Sequence, residues 1–421
     1  MYSSPTSATT ARPAWDRIGR ACGWPLALAL FIHRVFIVAF TGTPTDDFTT
    51  VYNAVRRMLA GQPVYEQAYH HVDPLYLYNP GATVLLSPLG LITDFDTARR
   101  LFILANALAV IAALAILTRM VGRPLRGAVW PLSIAAAFAT ESVTNTLAFT
   151  NINGLLLLAL CLFLWAFLPA HTAGITTASL PIPPSPTPRT RARGWLGGLV
   201  LGAAIVIKPQ FAPLLALVIV RKDWRALAGA VATPVALNVY ALWRIEATAG
   251  YREKLLPYLA HTRDYANSSW AGMVEYFHAP SWLYWAVWAA TAALVAATLL
   301  VLLRWSATDS TWWALTSTGV IFTGIFFLSS LGQQYYSMWL FPWIFTAFFA
   351  RSVFHTWGAW LAAFLCLAPV SWANPLWPSV GRWMDVFGAT AGWLLLLVVA
   401  AASTAAWWRR ERLEYYSCPH D

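Results

Sequence analysis

Residues 99–120 of the chain read RRLFILANALAVIAALAILTRM, an apolar run with arginines near both ends and only Asn106 as a polar residue between Leu101 and Leu117. A helix needs about 20 predominantly apolar residues to cross the hydrocarbon core of a bilayer. Two further runs of this kind occupy residues 282–303 and 388–408. Because these runs are too many for a single anchor, the sequence predicts a polytopic membrane protein.

The composition of the whole chain agrees with this prediction. Of the 421 residues, 58% are hydrophobic and only 11% are charged, whereas a soluble domain carries about 25% charged residues. The cysteines Cys22, Cys161, Cys366 and Cys418 are scattered without paired spacing. They therefore indicate neither a metal motif nor a disulfide framework.

We expect an all-α bundle of about twelve spans with both termini in the cytoplasm. The predicted spans cover residues 23–42, 98–120, 127–147, 151–170, 195–207, 210–221, 226–246, 281–304, 311–331, 335–350, 355–371 and 387–408. The first of them follows a basic segment, as a signal peptide would, but it contains His33 and Arg34 and lacks a small-residue cleavage site. We interpret it as a retained helix.

The basic residues favour this orientation, because Lys and Arg accumulate in cytoplasmic loops. More than half of the 28 basic residues fall in the predicted cytoplasmic segments, and most of the 18 acidic residues fall on the other side. Membrane insertion therefore explains the net charge of +10, and we expect no nucleic-acid partner. The spans 195–207 and 210–221 are short, and Lys208-Pro209 interrupts them, so two tilted half-helices and one kinked helix are both open.

The chain has no separate soluble domain in this interpretation. A cytoplasmic segment (1–22) precedes the transmembrane domain (23–408), and a cytoplasmic tail (409–421) follows it. Two long outer loops cover residues 43–97 and 247–280, the first with an interfacial or re-entrant helix near residues 81–92. Residues 171–194 are rich in proline, serine and threonine, which predicts a flexible cytoplasmic linker.

Two adjacent carboxylates, Asp46 and Asp47, open the first outer loop. A partly desolvated Asp beside another carboxylate has a raised pKa, and it can accept a proton from a sugar hydroxyl. The same pair could instead cap the helix predicted to follow it. Spacing alone leaves both interpretations open.

Other polar groups gather on the same predicted face. Lys208 is a lone lysine in apolar surroundings, where it is either functional or snorkels to the interface. His70, His71 and Asp73 have no further ligand set with recognisable spacing, so we interpret them as solvated loop residues. A carrier would place its ionisable groups near the midplane. Their collection on one face favours an enzyme that acts on a lipid-linked substrate.

Several short motifs carry a resemblance to a known family. They lie, in order, at residues 46–52, 73–80, 139–146, 149–154, 208–209, 262–269 and 334–338. Together they resemble the mycobacterial-type α-(1→3)-arabinofuranosyltransferases, which are membrane glycosyltransferases of the GT-C class. The resemblance runs from about residue 23 to residue 408.

The resemblance implies a GT-C-type helix bundle in the plasma membrane with its active site on the outer face. It implies decaprenylphosphoryl-β-D-arabinofuranose as donor and the arabinan of arabinogalactan and lipoarabinomannan as acceptor. It implies no cofactor. In this class an Asp in the first outer loop is the base, which corresponds to Asp47 or Asp46.

The remaining roles belong to the mechanism that we expect for such an enzyme, a single inverting displacement. We expect donor-phosphate contacts from Lys208, Arg263 and His261, and no metal. Contacts to sugar or acceptor are expected from Tyr78, Asn151, Asn153, Asp264, Tyr265, Asn267, Gln334 and Tyr335. The alternatives are a mannosyltransferase that uses polyprenyl-phosphate mannose, a lipid-linked sugar transporter and a structural partner in a cell-wall complex. The sequence leaves the oligomeric state open.

Overall fold

The computed structural model describes residues 14–42, 47–69, 75–168 and 188–417, and every regular element among them is helical. Asp46, His70, His71, Asp73 and Cys418 lie outside the described residues, as does most of the predicted proline-rich linker. This confirms the all-α prediction for the part of the chain that is described.

The first part of the chain forms seven α-helices with short 3₁₀ or π extensions. They are α1 (Ala14–Ile32, continued by a π-helix at His33–Ala39), α2 (Asp47–Leu59), α3 (Pro80–Leu86, continued by a 3₁₀ helix at Ser87–Leu91), α4 (Phe95–Met120), α5 (Val129–Ala139), α6 (Glu141–Ala148) and α7 (Asn153–Phe167).

The second part, from residue 188 onward, is more often interrupted. Its helices are α8 (Pro188–Ile207), a 3₁₀ helix (Pro209–Leu214), α9 (Leu215–Val220), α10 (Trp224–Arg244), a 3₁₀ helix (Glu246–Thr248), a π-helix (Tyr251–Leu255), α11 (Leu256–Leu259), α12 (Trp270–Phe277) and α13 (Ser281–Leu302). There follow a 3₁₀ helix (Leu303–Trp305), α14 (Ser310–Leu328), a 3₁₀ helix (Gln334–Leu340), α15 (Phe341–Ile344), two 3₁₀ helices (Phe345–Phe348, Val353–His355), α16 (Trp357–Leu367) and α17 (Pro378–Ser417).

Six helices of the described chain are long and apolar enough to cross a membrane. They occupy Ala14–Ala39, Phe95–Met120, Trp224–Trp243, Ser281–Trp305, Ser310–Leu328 and Pro378–Glu414. Five shorter apolar helices accompany them. This is the membrane protein that the hydropathy pattern predicts, while the count of twelve spans and the location of the termini stay predictions.

The bundle is built around α14. In the most apolar stretch of α14, 89% of the residues are buried inside the protein. In the corresponding stretches of the helices that begin at Ala14 and Ser281, only 17% of the residues are buried. The latter two therefore present most of their apolar surface outward, where lipid can solvate it. The interior is filled by large aromatic side chains, among them Trp312, Trp313, Trp339, Trp343 and Trp393.

Several helices differ in extent from the predicted spans. The span predicted at 127–147 is divided at Thr140, whose hydroxyl accepts a hydrogen bond from Val143 N at 3.3 Å and caps α6. Helix α8 begins at Pro188, inside the residues assigned to the linker. The span predicted at 335–350 is a succession of 3₁₀ and α turns, and Pro342 begins a new turn within it.

Candidate active site

Asp47 is the first residue of α2. Its amide N donates to the carbonyl of Phe149 at 3.0 Å. Its carboxylate oxygen Oδ2 accepts from Asn151 Nδ2 at 2.5 Å. The negative charge of the carboxylate interacts favourably with the dipole of α2, because it lies at the N-terminus of that helix. The hydrogen bond from Asn151 also holds the carboxylate against the turn between α6 and α7. Its neighbour Asp46 lies outside the described residues.

The turn that contains Asn151 and Asn153 is tightly fixed. Thr150 adopts the left-handed region at φ 52°, and Asn151 Oδ1 accepts from Asn153 N at 3.2 Å. A Cβ at Gly154 would lie 2.6 Å from Asn106 O, so only glycine lets α7 begin this close to α4. Asn153 is fully buried, and its Nδ2 has no hydrogen-bond partner among the described residues.

Lys208 connects α8 to the 3₁₀ helix that follows, in an extended conformation. Lys208 is only 6% exposed, and its Nζ donates a hydrogen bond to Asn153 Oδ1 at 2.7 Å. The ammonium also lies 4.3 Å from the ring centroid of Tyr336 and 5.3 Å from that of Trp339. Cation–π contacts of this kind stabilise a desolvated ammonium. The charge therefore points into the bundle and not toward its surface.

Tyr78 faces the same site from the segment before α3. Burial raises the pKa of its phenol, and the nearby charge of Asp47 raises it further. A small cleft opens here, with Asp47, Tyr78 and Asn151 among its polar lining and Val51, Leu86 and Phe102 on its apolar side. The arrangement offers a carboxylate, an amide and a neutral phenol to one ligand.

Arg263 belongs to the loop before α12. Its Nε is buried without a hydrogen-bond partner among the described residues, and its guanidinium lies 5.0 Å from the ring centroid of Tyr265. The phenol of Tyr336 lies within electrostatic range of both Arg263 and Asp47. A second cation therefore borders the site from a different element.

Asn267 holds this loop in place. Its Nδ2 donates to Arg263 O and Ser330 O at 3.0 and 2.9 Å, and its Oδ1 accepts from Ser269 N and Gly332 N at 3.1 and 3.0 Å. An amide side chain has two donor and two acceptor positions. All four are engaged within the protein, which fixes the loop that carries Arg263, while the sugar contact expected of Asn267 stays a prediction.

Gln334 and Tyr335 begin the 3₁₀ helix that also carries Tyr336. Gln334 Nε2 donates to Glu141 Oε2 at 2.5 Å, and Asn145 Nδ2 donates to Glu141 Oε1 at 2.9 Å. Tyr335 donates its hydroxyl proton to Gln333 Oε1, and its ring is tilted against that of Phe149, with 6.4 Å between the centroids. Tyr335 therefore packs near the residue whose carbonyl accepts from the amide of Asp47.

The other expected residues lie farther out. His261 is exposed, and its Nδ1 contacts Pro257 O at 2.9 Å. Asp264 is exposed too. Tyr265 contacts the hydroxyl of Tyr258 at 3.5 Å. Within the described ranges no group of three or more His, Cys, Asp or Glu side chains converges on a point where a metal ion could bind.

The structure adds partners that the sequence analysis did not assign. Glu141, Tyr336 and Trp339 are the main ones, because they contact Gln334 and Lys208. Glu141 could have been recognised from the sequence, because it is the single acidic residue between positions 97 and 222. Tyr336 and Trp339 carry no such mark among so many aromatic residues.

An apolar helix bundle that brings a carboxylate, two amides and a buried lysine together at one end fits a membrane glycosyltransferase. The chain belongs to glycosyltransferase family 87, whose model matches residues 76–330. It is therefore an enzyme that transfers sugar.

Similar proteins cover most of the chain. The α-(1→3)-arabinofuranosyltransferase of Corynebacterium glutamicum is 48% identical over 92% of this chain and 88% of its own length. Those of Mycobacterium tuberculosis and Mycolicibacterium smegmatis are 38% and 36% identical, each over 92% of this chain and 85% of the relative. These similarities confirm the resemblance drawn from the short motifs.

Proposed function

We propose that the protein transfers arabinofuranose from decaprenylphosphoryl-β-D-arabinofuranose to arabinan, and that it creates 3-linked branches in arabinogalactan and lipoarabinomannan. The observation that carries the proposal is the hydrogen-bonded series Asp47–Asn151–Asn153–Lys208. It supports the proposal because it joins a carboxylate, which can act as a base, to a buried ammonium, which can bind phosphate. The names of the similar proteins supply the sugar and the linkage.

Asp47 is the general base in this proposal, with Asp46 as the other candidate. The carboxylate removes the proton from O3 of an acceptor sugar while that oxygen attacks the anomeric carbon of the donor. The bond from C1 to the phosphate oxygen breaks, and decaprenyl phosphate leaves with the electron pair. One displacement of this kind converts the β-linked donor into an α-linked product.

The leaving phosphate meets positive groups on the other side of the site. Lys208 and Arg263 neutralise the charge that develops on it, and the unpartnered Nδ2 of Asn153 can donate to one of its oxygens. His261 is farther out, so it can reach the phosphate only after the loop moves. No metal ion is needed for this step.

Sugar contacts fall to the polar side chains that line the cleft. Tyr78 and Asn151 border Asp47 directly, and Tyr335 adjoins them. Gln334, Asp264 and Tyr265 lie on the acceptor side in this scheme. The site faces the outer side of the plasma membrane, and the decaprenyl chain lies in an apolar groove between helices of the GT-C-type bundle.

The test uses purified full-length protein in lipid nanodiscs with two synthetic donors, decaprenylphosphoryl-arabinofuranose and decaprenylphosphoryl-mannose. The acceptor is an α-(1→5)-linked arabinofuranosyl pentasaccharide, and the product linkage is determined by NMR. We expect a 3-linked α-arabinofuranosyl product from the first donor only. Transfer of mannose, a linkage other than 3, or no transfer from either donor would overturn the proposal.

A further inference from the structure

A second, shallow cleft lies beside Gln334, between α16 and the first turns of α17. Gln334 and Asp385 are the polar groups of its lining. Phe364, Leu365 and Met384 supply apolar surface, and Trp372 is also part of the wall. Of this lining, the mechanism above uses only Gln334.

Trp372 is held in a fixed position at this cleft. Its backbone N donates to Asp385 Oδ1 at 2.6 Å, and Ser371 Oγ donates to the other carboxylate oxygen at 3.4 Å. The side chain is still 43% exposed. The backbone of Trp372 is thus anchored and its indole is open on its surface, so that the indole offers a platform on which the C–H face of a sugar ring can stack.

The charge of this region is negative. Asp385 belongs to the wall, and Glu141 lies behind Gln334, close enough for the charge of Asp385 to act on it. The lining contains no Lys or Arg. A phosphate would be repelled here, whereas carboxylate and amide oxygens accept hydrogen bonds from hydroxyls. The chemistry selects a neutral ligand rich in hydroxyl groups.

The cations of the site lie near Tyr336, and neither of them lines the second cleft. Lys208 Nζ lies 4.3 Å from the ring centroid of Tyr336, and Arg263 is within electrostatic range of the same phenol, whereas Asp385 is the charged group in the wall of the second cleft. The two clefts adjoin through Gln334 and Tyr335, because Tyr335 packs near Phe149 and the carbonyl of Phe149 accepts a hydrogen bond from the amide of Asp47. A glycan that reaches Asp47 with one hydroxyl can extend past this turn.

We propose that the cleft formed by Gln334, Trp372 and Asp385 is a subsite for the acceptor glycan, which holds neutral furanose rings beyond the residue that is modified. The inference rests on the proposed function, because it names the place of the acceptor in that reaction. Trp372 stacks on a ring, and Gln334 and Asp385 accept hydrogen bonds from its hydroxyls.

The experiment compares wild type with Trp372→Ala, Trp372→Phe and Trp377→Ala in nanodiscs. Trp377 is the matched control, since it is an exposed tryptophan of the same segment that does not line the cleft. With the pentasaccharide acceptor we expect Trp372→Ala to raise the acceptor KM about 10-fold, as the loss of one ring-stacking contact does. The donor KM should stay within twofold, Trp372→Phe should restore most of the affinity, and Trp377→Ala should resemble wild type.

A binding measurement separates this inference from the proposed function. Saturation-transfer difference NMR with the pentasaccharide alone gives a Kd without donor or turnover. A Kd about 10-fold weaker in Trp372→Ala than in Trp377→Ala supports the subsite even if wild type transfers no arabinose. Equal Kd values in these variants, no saturation transfer to the pentasaccharide in wild type, or a raised donor KM in place of a raised acceptor KM, would overturn it.

Discussion

Lys208 donates a hydrogen bond to Asn153 across two helix boundaries, with 2.7 Å between Nζ and Oδ1. Lys208 follows the last residue of α8, and Asn153 is the first residue of α7. The contact places a buried positive charge at the start of a helix, where the dipole disfavours it. Such an arrangement is stabilised when an anion binds beside it, as a phosphate does in the proposed reaction.

Replacement of Lys208 by Met should remove this charge and keep the side-chain length. We expect kcat/KM for the donor to fall at least about 100-fold, as it does when a group that stabilises transition-state charge is lost. The measurement is the initial rate of transfer from decaprenylphosphoryl-arabinofuranose. Lys222→Met is the control, because Lys222 is exposed and lies in the turn after α9. Equal activities of the two variants would exclude a role for Lys208 in binding phosphate.

Gly154→Ala should destabilise the junction between α7 and α4. The added Cβ would lie 2.6 Å from Asn106 O, which is backbone and cannot move alone. Overpacking of this kind costs about 1–3 kcal/mol. We expect a lower melting temperature in detergent for Gly154→Ala. The matched change Gly197→Ala should be tolerated, since its nearest neighbour would lie at 3.4 Å. A melting temperature equal to that of wild type in Gly154→Ala would show that the helices are not packed this closely.

Glu141 should make stability depend on pH. Burial raises the pKa of Glu141 to about 7 from its ordinary value of 4.5, although the hydrogen bond from Asn145 opposes this, and the charge of Asp385 adds to it. A raised carboxyl pKa means that the folded protein binds the proton more tightly. The stabilisation is therefore complete below pH 4.5 and is lost as the pH rises through 7.

The measurement is the melting temperature of wild type and Glu141→Gln at pH 5.5 and pH 8. We expect wild type to lose stability relative to Glu141→Gln as the pH is raised between these values, because the variant cannot ionise. Partial exposure of Glu141 screens the effect. Glu275→Gln, an exposed carboxylate on α12, should follow wild type at both pH values. A constant difference between wild type and Glu141→Gln would contradict the raised pKa.

The sequence was sufficient for the class of fold and for part of the site. Apolar runs predict helices because the bilayer requires internally satisfied backbone hydrogen bonds. Asp47, Asn151, Asn153 and Lys208 stood out as polar residues at the ends of such runs, and the structure brings them together. Proline after Lys208 likewise indicated a helix break at that point.

Other features could not be read from local patterns. Gln334 and Glu141 are 193 positions apart, and only tertiary packing makes them partners. The sequence likewise gives no sign that the amide of Asn267 forms four hydrogen bonds within the protein. The short turns between Gln334 and Phe348 were expected as one span because hydropathy does not report helix continuity.

The most direct test of the account is the rate of arabinofuranosyl transfer by Asp47→Asn, measured in nanodiscs beside Asp46→Asn and Asp96→Asn. Asp96 is an exposed carboxylate in the first turn of α4, and its variant controls for the loss of a charge. If Asp47 is the base, Asp47→Asn should lose at least about 100-fold in kcat while Asp96→Asn keeps wild-type activity. Full transfer by Asp47→Asn would contradict the central claim, and loss confined to Asp46→Asn would move the role of base to Asp46.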